Sequence, residues 1–284
     1  MRTRIVSLLS AVLLAAGVAA AQQMQPVIHV GDFHVKPGME GQFMSLVKEY
    51  DQPVFRQLMA EGAVLGWGID VPVLHHAGGA THTIWWDSPD LAAFDKVFAA
   101  LQAMEKRIAE ADAKATEDAR KRGQPAPKSA LQKFLETVDI SKHQDYLLRD
   151  LLFGGGAPPA DGARPYRWVS LLKVQPGKSE EFRRLWVEYD KPVYDKLVAE
   201  GVIYLYAVGV EEARSTDAFT HYVEVSIPDL AAREKIREAF RADRQARSAS
   251  ERSIITGSFM SVLDPSGGRD ELLRAVVYEF ARPK

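Results

Sequence analysis

One run of this chain occurs twice. Lys36-Pro37-Gly38, Tyr50-Asp51-Gln52-Pro53-Val54, Ala60-Glu61-Gly62, Thr81-His82 and Pro89-Asp90-Leu91-Ala92-Ala93 return as Gln175-Pro176-Gly177, Tyr189-Asp190-Lys191-Pro192-Val193, Ala199-Glu200-Gly201, Thr220-His221 and Pro228-Asp229-Leu230-Ala231-Ala232. The offset stays at 139 residues without a gap. Solenoid repeats run about 20–50 residues, so a period this long marks a duplicated domain.

Each copy reads as strand, helix, strand, strand, helix, strand. The first strand, Val27–Lys36 or Tyr166–Gln175, is rich in β-branched and aromatic residues and closes at Pro-Gly. A helix follows, with Phe43, Leu46, Val47 and Tyr50 at helical spacing, matched by Phe182, Leu185, Trp186 and Tyr189. Pro53 and Pro192 should break or kink it, and Asp51 and Asp190 stand where an N-cap for the restarted helix would fall. Strands two and three form a hairpin, Ala63–Val71 with Thr81–Trp86 and Val202–Val210 with Phe219–Ser226; the first loop holds His75-His76 and the second Arg214-Ser215-Thr216-Asp217. Asp90 and Asp229 punctuate the second helix. A βαββαβ unit makes a four-stranded antiparallel sheet with both helices on one face. The opposite face, expected apolar, needs a cover. Two units in one chain can cover each other sheet to sheet, closing a barrel around an internal pocket. The expected fold class is α+β: two ferredoxin-like units forming an intramolecular α/β barrel, a monomer with an internal pseudo-dimer.

The organisation follows. Residues 1–21 read as a signal peptide, with basic Arg2 and Arg4, an apolar Ile5–Val18 and an Ala19-Ala20-Ala21 cleavage site before Gln22. The first repeat spans 22–153, with an Ala-rich, charged insertion at 105–129 that reads either as a solvated helix and loop or as a lid. A Gly/Pro linker occupies 154–163, and the second repeat 164–284. The expected location is periplasmic or secreted. Formal net charge is −2, and −4 once Arg2 and Arg4 leave with the leader, which removes the basic surface that nucleic acid requires. No membrane partner is expected after cleavage. With no cysteine there is no disulfide framework, thiol nucleophile or thiolate metal site.

Phe219-Thr220-His221-Tyr222-Val223-Glu224-Val225 and its looser counterpart Thr81-His82-Thr83-Ile84-Trp85-Trp86 resemble the third-strand Thr-His signature of the dimeric α/β-barrel superfamily. Its ferredoxin-like members include antibiotic monooxygenases, stress-responsive barrels and NIPSNAP-like domains. The resemblance covers nearly all of the mature chain as two fused copies. It implies that His82 and His221 point into a barrel cleft. The polyketide-cyclase members also use a Tyr and a His after this strand. Asp229–Arg241 and Asp90–Glu105 contain neither, so only a cleft position carries over. Haem-binding members use a histidine ligand late in the domain; the only late histidine here, His143, lies in a turn-like Ser141-Lys142-His143 and has no twin.

His82 and His221 are the catalytic candidates, since one occupies the same strand position in each repeat. Sharing a face with Ile84 and Trp86, or Val223 and Val225, each imidazole should be held neutral by burial, as suits a general base; the alternative is a structural histidine. Tyr50-Asp51 and Tyr189-Asp190 are either caps or orienting pairs. Trp67, Trp86, Tyr204 and Tyr206 are the ligand-binding candidates, with plain core as the competing reading. No metal and no cofactor are assigned, since no spacing supports a metal and no nucleotide-binding or nucleophile-elbow motif appears. The leading expectation is an exported tandem barrel that binds a small, largely apolar molecule, with proton transfer or oxygenation as its chemistry if it is an enzyme. A non-catalytic binding module and a haem-binding barrel are the alternatives.

Overall fold

The computed structural model describes residues 25–75, 78–156, 159–160, 162–213 and 219–281. The leader, His76 and the loop Arg214–Asp217 lie outside the described residues. Repeat one comprises β1 (Val27–Phe33), α1 (Glu40–Ala60), β2 (Gly66–Pro72), β3 (His82–Ser88), α2 (Leu91–Lys121), α3 (Ala130–Thr137) and β4 (Gln144–Gly155). Repeat two comprises β5 (Tyr166–Val174), α4 (Ser179–Leu185), α5 (Lys191–Ala199), β6 (Leu205–Ala213), β7 (His221–Ile227), α6 (Ala231–Gln245), α7 (Ala249–Val262) and β8 (Leu263–Phe280).

The eight strands close into one barrel in the order β1-β3-β2-β8-β5-β7-β6-β4. Each half is thus an antiparallel 4-1-3-2 sheet. The halves are joined by hydrogen-bonded seams, β2 to β8 and β4 to β6, so neither sheet keeps an open edge. The duplicated sequence predicts this architecture, and the structure has it. Gly154 and Gly155, read as the start of the linker, instead extend β4 and pair with Tyr206 and Leu205.

Strand alternation divides the side chains between two outer cores and an inner one. Phe43, Val47, Phe55, Trp67, Ile69 and Trp86 pack under the helices of repeat one. Phe182, Leu185, Trp186, Tyr206, Val208 and Val225 do so in repeat two. Ile28, Tyr146, Leu148, Leu171, Ala207 and Tyr222 meet inside the barrel.

The prolines act differently in the two copies. Pro53 lies inside the unbroken 21-residue α1, so the expected break is absent there. In repeat two the helix widens into a π turn at Trp186–Asp190, and Pro192 sits in the first turn of α5. A π turn absorbs a register step without ending the helix. Asp51 is therefore mid-helix, and Asp190 makes no side-chain capping bond. Burial raises their carboxyls to about 7 and about 6.

The 105–129 insertion mostly lengthens α2, which runs 31 residues to Lys121, and a third helix precedes the last strand of each repeat. Both of these helices start on capping boxes, Ser129 with Gln132 and Ser248 with Glu251.

Candidate functional site

The Thr-His signature has a local explanation. Thr81 Oγ1 accepts from the Val35 amide at 2.7 Å and lies 3.1 Å from His82 Nδ1. Thr220 Oγ1 repeats this with the Val174 amide at 2.9 Å and His221 Nδ1 at 2.9 Å. The hydroxyl thus ties off the first strand of each repeat and orients the ring. His82 pairs with Phe33 and His221 with Val210 and Leu172, which puts both rings on the outer face, under the helices. They meet Phe43 and Phe182 edge to face at 5.1 and 5.3 Å. The implied orientation into the barrel interior is therefore corrected by alternation: the signature lies one residue out of phase with the inner face. Burial lowers both pKa values, that of His221 to about 4, so the rings are neutral as expected.

The aromatic candidates also face outward or flank the sheet. Trp67 is fully buried, stacks on Phe55 at 5.0 Å and donates to Glu279 at 3.2 Å. Trp86 lies 4.4 Å from Phe94 and stacks with His29 at 5.2 Å. Tyr206 packs on Trp186 and Tyr194 and donates to Asp195. Tyr204 precedes β6, its amide bonded to the Ser226 carbonyl. None of these four lines the cavities inside the barrel.

The inner face holds what the motif reading missed. It was expected to be apolar, yet Arg167 lies in the barrel between Asp70, which it meets through Nη1, and Glu224, which accepts from Nε at 2.7 Å. Its guanidinium sits 4.6 Å from the Trp85 ring centre. Asp70 is fully buried and Arg167 is 7% exposed. Burial opposes the charge on Arg167, but Asp70 and Glu224 more than offset that and hold it protonated. Burial likewise raises Asp70, raises Asp150 to about 7 and pushes Asp87 well above the carboxylate range. Tyr222 donates to Asp150.

At the other end of the barrel Asp32 accepts from Thr83 Oγ1 at 2.6 Å. Burial lifts its carboxyl to about 6 against that hydrogen bond. A cavity of about 60 Å³ runs from Asp32 past Trp85 to Arg167 and Glu224. That is room for a few waters. It meets a rim cavity of about 300 Å³ through Asp32, Thr83, Glu271 and Leu273. Pro72, Leu74, His75, Trp168, Leu272 and the acidic Asp270 also line the rim.

A sequence signal for this interior exists in the differences between the copies. At the 139-residue offset Asp32 faces Leu171, Asp70 faces Gly209, Asp87 faces Ser226, Ile28 faces Arg167 and Trp85 faces Glu224. Each interior charge stands where its twin carries none, so comparing the repeats for divergence, not recurrence, marks the site.

Among the described residues no group of three or more His, Cys, Asp or Glu is placed to hold a metal. The late histidine, His143, is engaged at both nitrogens, by the Asp32 carbonyl at 2.9 Å and by Asp145 at 3.1 Å. It does not fit as a haem ligand. No described helix is long and apolar enough to cross a membrane.

No protein-family model matches the sequence. No curated protein matches it either. Solved structures do. A "putative monooxygenase" of Fusobacterium nucleatum subsp. nucleatum aligns with TM-score 0.55 at 14% identity, over 91% of this chain and 95% of that one. A second "putative monooxygenase", from Lactobacillus acidophilus, gives 0.53 at 11% identity over 90% and 100%. An anthrone oxidase-like protein gives 0.51 at 11% over 93% and 96%. At these identities the likeness concerns the backbone arrangement alone. With the 4-1-3-2 sheets and the closed eight-stranded order, it identifies the chain as a tandem-duplicated, single-chain form of the dimeric α/β-barrel, ferredoxin-like fold.

Proposed function

We propose that this protein takes a small, largely apolar molecule into the rim of the barrel and handles a proton on it through Asp32. The observation that carries the reading is the position of Asp32. Its carboxyl lines both the rim cavity and the inner channel, is anchored by Thr83, and has its pKa lifted to about 6. A carboxyl near neutrality can accept a proton from a weakly acidic group and return it. Leu74, Trp168, Leu272 and Leu273 supply the apolar wall. A cavity near 300 Å³ stands at the lower end of small-molecule sites. The paired histidines are assigned a structural role, because the Thr-His tie-off accounts for their recurrence without a ligand. The reaction needs no metal in this reading.

The protein acts outside the cytoplasm in this proposal, on the support of Arg2, Arg4, the apolar Ile5–Val18 and Ala19-Ala20-Ala21. The mature N-terminus would be Gln22.

The test is ligand screening by tryptophan fluorescence, since Trp85 and Trp168 flank the proposed path. Compounds that quench the wild type and lose tenfold or more in affinity in folded Asp32→Asn support the reading. Equal affinity in the two proteins would refute it.

A further inference from the structure

On the outer face of β1 and β4, directly behind Asp32, three polar residues form a cluster absent from repeat two. The Asp145 carboxylate sits between His29 Nε2 and His143 Nε2, 3.1 Å from each. Gly31 makes the space: a Cβ there would lie 3.2 Å from Asp145 Oδ1 and 3.5 Å from the His143 ring. The twins of His29, Gly31 and Asp32 are Trp168, Ser170 and Leu171, so neither the cluster nor the acid it backs recurs.

The hydrogen bonding fixes the charge of His143. Its Nδ1 faces the Asp32 main-chain carbonyl at 2.9 Å and its Nε2 faces Asp145. Both partners accept only, so the ring satisfies both by donating twice, as an imidazolium. Stacking on Phe33, with ring centres 4.3 Å apart, holds it flat against the strand. The bond to Asp145 raises the His143 pKa and depresses that of Asp145.

We propose that His143 is a positioning residue for Asp32, fixing the β1 backbone at that point through its bond to the Asp32 carbonyl and placing a cation behind the carboxyl. The inference rests on the reading of Asp32 as the proton-handling group at the rim. Burial alone would drive Asp32 further up. The groups facing it are Thr83, Glu271, Arg269, His143 and Tyr146, of which Thr83, Arg269 and His143 favour the anion. Arg269 is shared with Glu271 at 2.7 Å, whereas His143 is bonded to the very residue it tunes. Around His143 itself stand Asp145, His29 and Asp32, with Lys142 and Asp139 paired to each other at 3.2 Å on its own turn.

The experiment is a ligand-free titration of the Asp32 carboxyl by carbon-13 NMR, with Asp32→Asn assigning the signal. In His143→Gln the midpoint should rise by about half a unit or more, roughly threefold or more in proton affinity. In His143→Lys, which keeps the charge, it should return toward the wild-type value. A purely structural histidine would change the melting temperature and leave the midpoint where it was; that result in folded His143→Gln overturns the proposal. If His143→Gln does not fold, His143→Phe keeps a ring stacked on Phe33 without the charge, and an unchanged midpoint there overturns the proposal. Because no ligand enters this measurement, a shifted midpoint with unaltered binding in Asp32→Asn would refute the rim reading and leave the tuning intact.

Discussion

Replacing Arg167 with methionine isolates the cost of the charges inside the barrel. Arg167 is the cation between Asp70 and Glu224, and its three bonding nitrogens are all engaged by those carboxylates. Methionine keeps the approximate length and the contact with Trp85 while leaving both acids without their partner. Breaking a buried ion pair from one side costs about 3–5 kcal/mol, because the remaining charge stays in a low-dielectric site. For a domain of this size that corresponds to a fall in Tm of roughly 10 °C. The sign with pH is fixed. Asp70 already has a raised pKa, and without Arg167 it rises further. The folded variant therefore binds protons that the unfolded chain releases, and its deficit shrinks as pH falls. Urea unfolding of both proteins at about pH 7.5 and pH 4.5 measures this. Adding Asp70→Asn to the variant should recover part of the loss and give a coupling energy. A deficit below about 1 kcal/mol at pH 7.5, or one that acidification leaves unchanged, would refute the argument that these charges are held by one another.

Further outcomes follow from the same geometry. His221 is neutral in the fold down to about pH 4, whereas the unfolded residue protonates near its ordinary 6.5. The wild type should therefore lose up to about 3 kcal/mol as pH falls between those values. His221→Phe should flatten that limb in denaturation curves, and an unchanged limb would count against the packed, uncharged assignment. The folded pKa of Asp32 lies above its unfolded value, so ionisation costs stability as pH rises from about 4 to 6. Asp32→Asn should thus be more stable than the wild type at pH 7.5, by about 1–2 kcal/mol, and less stable if this linkage is wrong. A Cβ at Gly209 would lie 2.3 Å from the Arg149 carbonyl and 2.4 Å from the Tyr222 ring, so Gly209→Ala should cost several kcal/mol and lower soluble yield. Mass measurement of protein expressed with its leader should give an N-terminus at Gln22; retention of Met1 on exported protein would exclude cleavage.

The architecture was legible because duplication is a property of the whole chain and survives local misreadings. Strand alternation, the Pro-Gly turns and the Asp90 and Asp229 punctuation each agreed with a βαββαβ unit; those aspartates accept from the Ala93 and Ala232 amides at 2.8 and 2.9 Å. The capping boxes at Ser129 and Ser248 are legible too, as Ser-x-x-Gln and Ser-x-x-Glu. Which face of a strand looks inward is harder to read when both faces are covered. His82, Ile84 and Trp86 are as buried and apolar a set as Thr83, Trp85 and Asp87. Periodicity alone therefore cannot tell the helix side from the barrel side. Thr-His recurs because both copies need the same backbone tie. The residues that make the interior distinctive are those that are not repeated.

The seams between the repeats have a consequence for assembly. A barrel closed by two identical halves would receive each inner side chain twice. Here the strands of the first half place Asp32, Asp70, Asp87 and Asp150 and no lysine or arginine on the inner face, while the second half contributes Arg167 and Arg269 beside Glu224 and Glu271. Cut within the linker and produced as two polypeptides, a first half should pair with a second half in preference to another first half. Two first halves would oppose carboxylates with no cation between them, and each separated half would expose the edges of β2 and β4, or of β6 and β8. The unequal charges of the two inner faces thus make the second half, with Arg167 at its centre, the fitting partner of the first.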